Sequence, residues 1–206
     1  MQIDWILLIY SLPSHPSRKR AYVWRELKKL GAIYLRDGVA LLPRNTAVDR
    51  RLGDVAERIQ EYAGTVELVL SPAFLNRQPE RFVDRFNADR TDEYRELHHE
   101  CVHFLRDVLE DVDAATFGFP DVDKLDNDLH RLQRWLGQVR ERDYFDAPGL
   151  DRVEDMLAKC ERAFEQFASR ASEREKRPLP VQSEDVFERL GGPANVPNAQ
   201  DPELPL

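Results

Sequence analysis

Residues 5–43 read WILLIYSLPSHPSRKRAYVWRELKKLGAIYLRDGVALLP. Ile3 to Tyr10 is apolar on both parities, with Ile3, Trp5, Leu7 and Ile9 on one and Ile6, Leu8 and Tyr10 on the other. A strand of that kind is covered on both faces. Pro13 ends it. Ser14 is the expected N-cap of a helix, with Pro16 inside its first turn and Gly31 as its stop. Val23, Trp24, Leu27 and Leu30 form the expected buried stripe of that helix. Asp37-Gly38, between two apolar runs, is a hairpin turn signal, and Pro43 closes the second hairpin strand.

Beyond Pro43, Val48, Leu52, Val55, Ala56 and Ile59 mark a helix over about 47–63, and TVELVL (65–70) reads as a last strand with Val66, Leu68 and Leu70 on one face. The order strand, helix, hairpin, helix, strand matches a ferredoxin-like βαββαβ arrangement. Two helices cover one sheet face. The other requires either a partner subunit or the rest of this chain. Apolar stripes then predict a short helix over 79–87 and longer ones over about 91–112, 122–143 and 150–175, packed as an antiparallel bundle. Six prolines fall in the last 30 residues. They mark a flexible tail in which SEDVFERLGG (183–192) resembles a short capped helix. The expected class is α+β: a ferredoxin-like domain at 1–75, a helical domain at 76–176 on or beside it, and the tail at 177–206.

The 206 residues carry a net charge of -8, unevenly spread. Residues 1–70 hold 11 Lys+Arg against 8 Asp+Glu, while the remainder holds 19 against 30. Such a chain is not a general nucleic-acid coat protein, although its first part suits local DNA binding. Cys101 and Cys160 form no CxxC pair and lie on apolar stripes, where thiols act as small hydrophobes. No apolar run approaches a membrane span and no signal peptide is recognisable, which makes the cytoplasm the expected location.

Two groups of residues are candidates for function. Arg18, Lys19, Arg20, Arg25, Lys28 and Lys29 lie mostly outside the buried stripe of the first helix, which suits them to a phosphate, a small oxyanion or water. In ELHHECVHF (96–104), Glu96 and His99, and likewise Glu100 and His103, have the Glu-x-x-His spacing of carboxylate-bridged metal sites. A second such helix is missing, and the pair of histidines falls on the polar side of its helix. No Gly-x-Gly-x-x-Gly, Walker loop, His-Glu-x-x-His or Gly-x-Ser-x-Gly is present, and no cofactor is expected. Trp24 and Trp135 are expected in the core.

The quoted stretch, together with DEYRELHHEC (92–101) and LDNDLHRLQRWLGQVRERDYFDAP (125–148), resembles the N-terminal domain of the ChrB chromate-resistance regulator family over residues 3–173. The resemblance implies a regulatory protein that contacts DNA or a partner protein. Full-length members carry a further C-terminal domain, which this chain, with a Pro-rich tail in that place, is expected to lack. A partner supplying that domain in trans is therefore expected, with a homodimer through the open sheet face as a further arrangement. The strand end also resembles those of PaaX-type repressors and of the small CRISPR-associated nuclease. Where that nuclease holds a metal-binding Asp, this chain has Ser11, a poor anchor for Mg²⁺. The reading favours a non-catalytic protein. The alternatives are an interaction module acting in trans and a divergent metal-dependent nuclease.

Overall fold

The computed structural model describes residues 3–74, 78–113 and 118–176. The Pro-rich segment, with the helix expected over 183–191, lies outside the described residues. The elements are β1 (Trp5–Ser11), α1 (Ser17–Lys29), β2 (Ile33–Arg36), β3 (Val39–Pro43), α2 (Thr46–Glu61), β4 (Thr65–Leu70), α3 (Gln78–Asp113), α4 (Phe119–Arg140) and α5 (Leu150–Lys176). The fold is mixed α/β and mostly helical. Its four strands form one antiparallel sheet in the order β2-β3-β1-β4.

The two-sided apolarity of β1 is satisfied within the chain. On one sheet face, Ile6, Leu8, Ala40 and Leu42 pack under Val23 and Leu27 of α1 and Val48, Leu52 and Ile59 of α2. On the other face, Trp5, Ile33 and Leu41 pack against Phe86, near the start of α3. The Trp5 ring stacks on Phe86 at 5.9 Å between centroids and meets Phe82 edge-on at 6.0 Å. Phe145, from the segment after α4, closes the cluster at 5.9 Å from Trp5. This cover does not reach across to β4 or to the end of β1, and Val69 and Ile9 are both 37% exposed. In β4 only Val66 joins the core, while Leu68 and Leu70 are exposed. Among the described residues β4 pairs with β1 only, and its other side chains are exposed because it is the lateral edge of the sheet.

Several boundaries differ from the sequence reading. The expected helices at 79–87 and 91–112 are one helix, α3, of 36 residues and roughly 54 Å. The polar run Asn87-Ala88-Asp89-Arg90-Thr91-Asp92 resembles a break, but it contains neither Gly nor Pro to interrupt the hydrogen bonds. Ser14 does not cap α1. Pro16 holds the N-cap position without a side-chain cap, and Lys19 N–H bonds the Pro16 carbonyl at 3.2 Å. α2 begins at Thr46 because the Asn45 side chain accepts from Val48 N–H at 2.9 Å. α4 begins at Phe119 because the Asp121 carboxylate accepts from Gly118 N–H at 3.1 Å.

α3, α4 and α5 pack around a core of Tyr94, Leu97, Cys101, Phe104, Leu125, Leu132, Val139, Val153 and Phe167. Cys160, also buried, donates its thiol to the Cys101 carbonyl at 3.3 Å. The junction with the sheet is polar and closely fitted. Glu93 receives both Nε and Nη2 of Arg142, at 3.2 and 3.0 Å, and pairs with the buried Arg90. Tyr144 donates to the Leu30 carbonyl at 2.7 Å, tying the end of α1 to the helical part. Gly31 (φ +74°) turns the chain there, and a Cβ on it would lie 2.9 Å from Arg142 Cβ. Among the described residues, no helix is long and apolar enough to cross a membrane.

Three phenols are held neutral by their surroundings. Burial pushes up Tyr34, Tyr94 and Tyr144; Tyr34 is raised further by its contact with Tyr10, and Tyr94 by donating to Asp143 at 2.8 Å. A phenol with a raised folded-state pKa contributes stability in full below its unfolded value of about 10, and that contribution is lost as pH rises beyond it. In an ultraviolet titration, these three of the six tyrosines are therefore expected to ionise only as the alkaline protein unfolds. Ionisation of Tyr34, Tyr94 and Tyr144 in the still-native protein near pH 10 would contradict these environments.

Candidate functional site

α1 carries Arg18, Lys19, Arg20, Arg25, Lys28 and Lys29 against a single carboxylate, Glu26, with no acid in its first turn. The buried line of this helix is Val23, Leu27 and Leu30, at i, i+4 and i+7. Trp24 lies about 100° further around the helix. It is 50% exposed, not in the core where its place in the stripe puts it. Arg20 precedes it by four residues and Lys28 follows it by four, which places all three on one line along the helix surface. The Lys28 ammonium sits over the Trp24 ring, 5.9 Å from its centroid.

The remaining cations divide in two. Lys19 turns to the Tyr62 ring at 5.0 Å, and Lys29 pairs with Glu26 at 2.7 Å. Arg18, Arg20 and Arg25 are exposed and have no ion-pair partner among the described residues. The outward charge of α1 is thus carried by Arg18, Arg20, Arg25 and Lys28.

Beside Trp24, between α1 and the end of the sheet, is an open cleft of about 730 Å³. Arg20, Ala21 and Trp24 form its α1 wall, Tyr10, Ser11 and Leu12 come from the end of β1, and Tyr34, Asp37 and Gly38 come from the hairpin. The Tyr10 and Tyr34 hydroxyls lie 3.5 Å apart, and Ser11 Oγ is bonded to Thr65 Oγ1 at 2.8 Å. The cleft therefore offers an aromatic face, an arginine, phenol hydroxyls and one carboxylate. Tyr34 and Asp37 are not legible as site residues in the sequence, because they join the wall only when the hairpin folds against β1. For Trp24 a signal exists: Val23, Leu27 and Leu30 already complete a buried line without it.

The second candidate group assembles only in part. His99 and His103 face each other on α3, Nε2 to Nε2 at 2.8 Å, and Arg106 contacts the far nitrogen of His103. Glu96 and Glu100 do not join them: among the described residues, no three His, Cys, Asp or Glu side chains are grouped to hold a metal ion. His98 points elsewhere, lining a cavity of about 360 Å³ with Tyr94, Arg95 and Arg152.

Comparison with known proteins places these features in one family. The family model described as "Protein ChrB, N-terminal" matches residues 20–178. Protein ChrB of Cupriavidus metallidurans is 31% identical over 150 residues, which cover 73% of this chain and 43% of that protein. The chain thus spans less than half the length of that relative. No solved structure matches. The family model takes in α1 from Arg20 onward, with its cationic, tryptophan-bearing face, and the chain belongs to the ChrB N-terminal family.

Proposed function

We propose that the chain is a non-catalytic regulator of chromate resistance that acts in transcriptional control by contacting DNA through α1. The observation that carries this reading is the exposed line Arg20, Trp24 and Lys28, flanked by the unpaired Arg18 and Arg25 and set beside an open cleft. Cations without internal partners exchange counterions for phosphates, and an exposed aromatic among them adds contact with bases or sugars. The α1 N-terminus, with no acid in its first turn and no side-chain cap, presents free N–H groups to an anion. The strand order β2-β3-β1-β4 supports a ferredoxin-like domain over 1–75, and the mutual packing of α3, α4 and α5 supports a helical bundle domain over 76–176. In the place of the nuclease's metal-binding Asp, Ser11 is engaged by Thr65, which supports a role without catalysis.

The test is a binding titration on DNA from upstream of the chain's own gene, at about 50 mM and 200 mM salt. Wild-type binding should weaken steeply with salt. Replacing Arg20, Arg25 and Lys28 together by Ala should flatten the slope by about 0.9 for each phosphate that is no longer neutralised, and weaken binding more than about tenfold at low salt. Undetectable wild-type binding at the lower salt would refute direct DNA contact.

A second reading, contact with a partner protein or a second copy, is favoured by β4. Among the described residues its outer edge is unpaired, and Leu68, Val69 and Leu70 are exposed along it, with Ile9 beside them. If it holds, Leu70→Lys should shift the sedimentation of an assembled species to that of the monomer. A wild-type chain that sediments as a monomer at all concentrations, alone and with candidate partners, would exclude it.

A further inference from the structure

We propose that the cleft beside Trp24 receives a single unstacked nucleobase, so that the favoured nucleic-acid partner is single-stranded or locally opened DNA. The inference rests on the DNA-contact reading and narrows it to a form of substrate.

The geometry of Trp24 distinguishes the two forms of DNA. A duplex offers a protein the edges of its bases in the grooves and phosphates on its rim, while the base faces are buried in the stack. An exposed indole face is suited to a base face, which only an unpaired or extruded nucleotide presents. Trp24 is half exposed on a helix whose packing needs are met by Val23 and Leu27, and the exposed Lys28 side chain over its ring can give way to a base. The adjoining cleft, about 730 Å³, is open to solvent and wide enough to admit a base alongside the ring.

The surroundings of the ring are also those a nucleotide requires. Arg20 and Lys28 lie one turn to either side, placed for the phosphates flanking a stacked base, and Lys28 already lies over the ring. At the opposite wall, the Tyr34 hydroxyl and the Asp37 carboxylate can exchange hydrogen bonds with the edge of a base. A structural tryptophan would have its face covered by apolar neighbours. Here the ring meets a cation and borders an open cleft whose lining mixes aromatic and apolar surface with an arginine, hydroxyls and a carboxylate, as an amphipathic base requires.

The experiment uses the full chain and measures fluorescence anisotropy of a labelled oligothymidylate of about a dozen nucleotides, and of a blunt duplex of equal length, across a salt series. The single strand should bind more tightly than the duplex. Trp24→Ala should weaken single-strand binding about tenfold at an unchanged salt slope and alter duplex binding less than about twofold, and Trp24→Phe should restore most of the loss. Arg20→Ala with Lys28→Ala should flatten the slope for both ligands. Because Trp24 lies outside the core, its variants should keep the wild-type melting temperature. A wild-type chain that binds the duplex at least as tightly, with Trp24→Ala leaving single-strand binding unchanged, would overturn base capture and leave DNA contact standing. Failure to bind either ligand would overturn both.

Discussion

Phe86→Ala should cost the fold about 3–5 kcal/mol in urea unfolding. Phe86 is 2% exposed and is the point where α3 meets the sheet. Its ring stacks on Trp5 at 5.9 Å, meets Phe145 at 5.5 Å and approaches Tyr144 at 6.2 Å. Truncation removes the ring from three aromatic partners and leaves a void among rings fixed by their own packing, which limits collapse. Against a total stability of roughly 5–15 kcal/mol, the variant would be marginal at 37 °C. Phe86→Leu keeps most of the volume and should lose about half as much or less. A loss below about 1 kcal/mol for the Ala variant would mean that the second sheet face does not depend on α3.

Gly38→Val is the second large effect, about 2–4 kcal/mol, and it falls on the cleft itself. Gly38 has φ +72°, where a β-branched residue is strained, and a Cβ built on it would lie 2.4 Å from the Tyr10 carbonyl oxygen. That oxygen belongs to the main chain of β1 and cannot swing aside. The same pair is joined by Tyr10 N–H donating to the Gly38 carbonyl at 2.7 Å, so relief of the clash would open the ladder at the cleft rim. Gly38→Asn separates the two causes. Asn tolerates positive φ but still carries a Cβ, so it should be nearly as damaging as Val if the steric clash dominates. If Asn is as stable as Gly in thermal melts, strain alone is at work. The Val variant should also bind nucleic acid more weakly, since Asp37 and Tyr34 move with the turn.

The order of strands and helices up to Leu70 is legible in the sequence because each boundary has a chemical marker: Pro13 after β1, Gly31 after α1, Asp37-Gly38 in the hairpin and Gly64 before β4. The continuity of α3 is not. Arginine is rarely buried, yet Arg90 is 4% exposed, held by Glu93 and walled in by the turn at Gly31. Its burial depends on contacts between residues distant in sequence. Trp24 misleads for a related reason. Hydrophobicity marks it as core, whereas its angle on the helix relative to Val23 and Leu27 puts it outside. The outward cations are visible from spacing alone, but only the fold reveals that Lys19 and Lys29 are engaged internally while Arg18, Arg20 and Arg25 are not.

α3 takes part in two cores: Phe82 and Phe86 seal the sheet, while Tyr94, Leu97, Cys101 and Phe104 lie among α4 and α5. Nothing in its 36 residues breaks the backbone hydrogen bonds between those two stretches. One continuous helix therefore joins the two cores, with Phe86 beneath β1 at one end and its contacts with α4 and α5 at the other. β1 in turn runs from Trp5, against Phe86, to Ser11 at the wall of the cleft, so one strand separates the helical part from the proposed nucleic-acid surface.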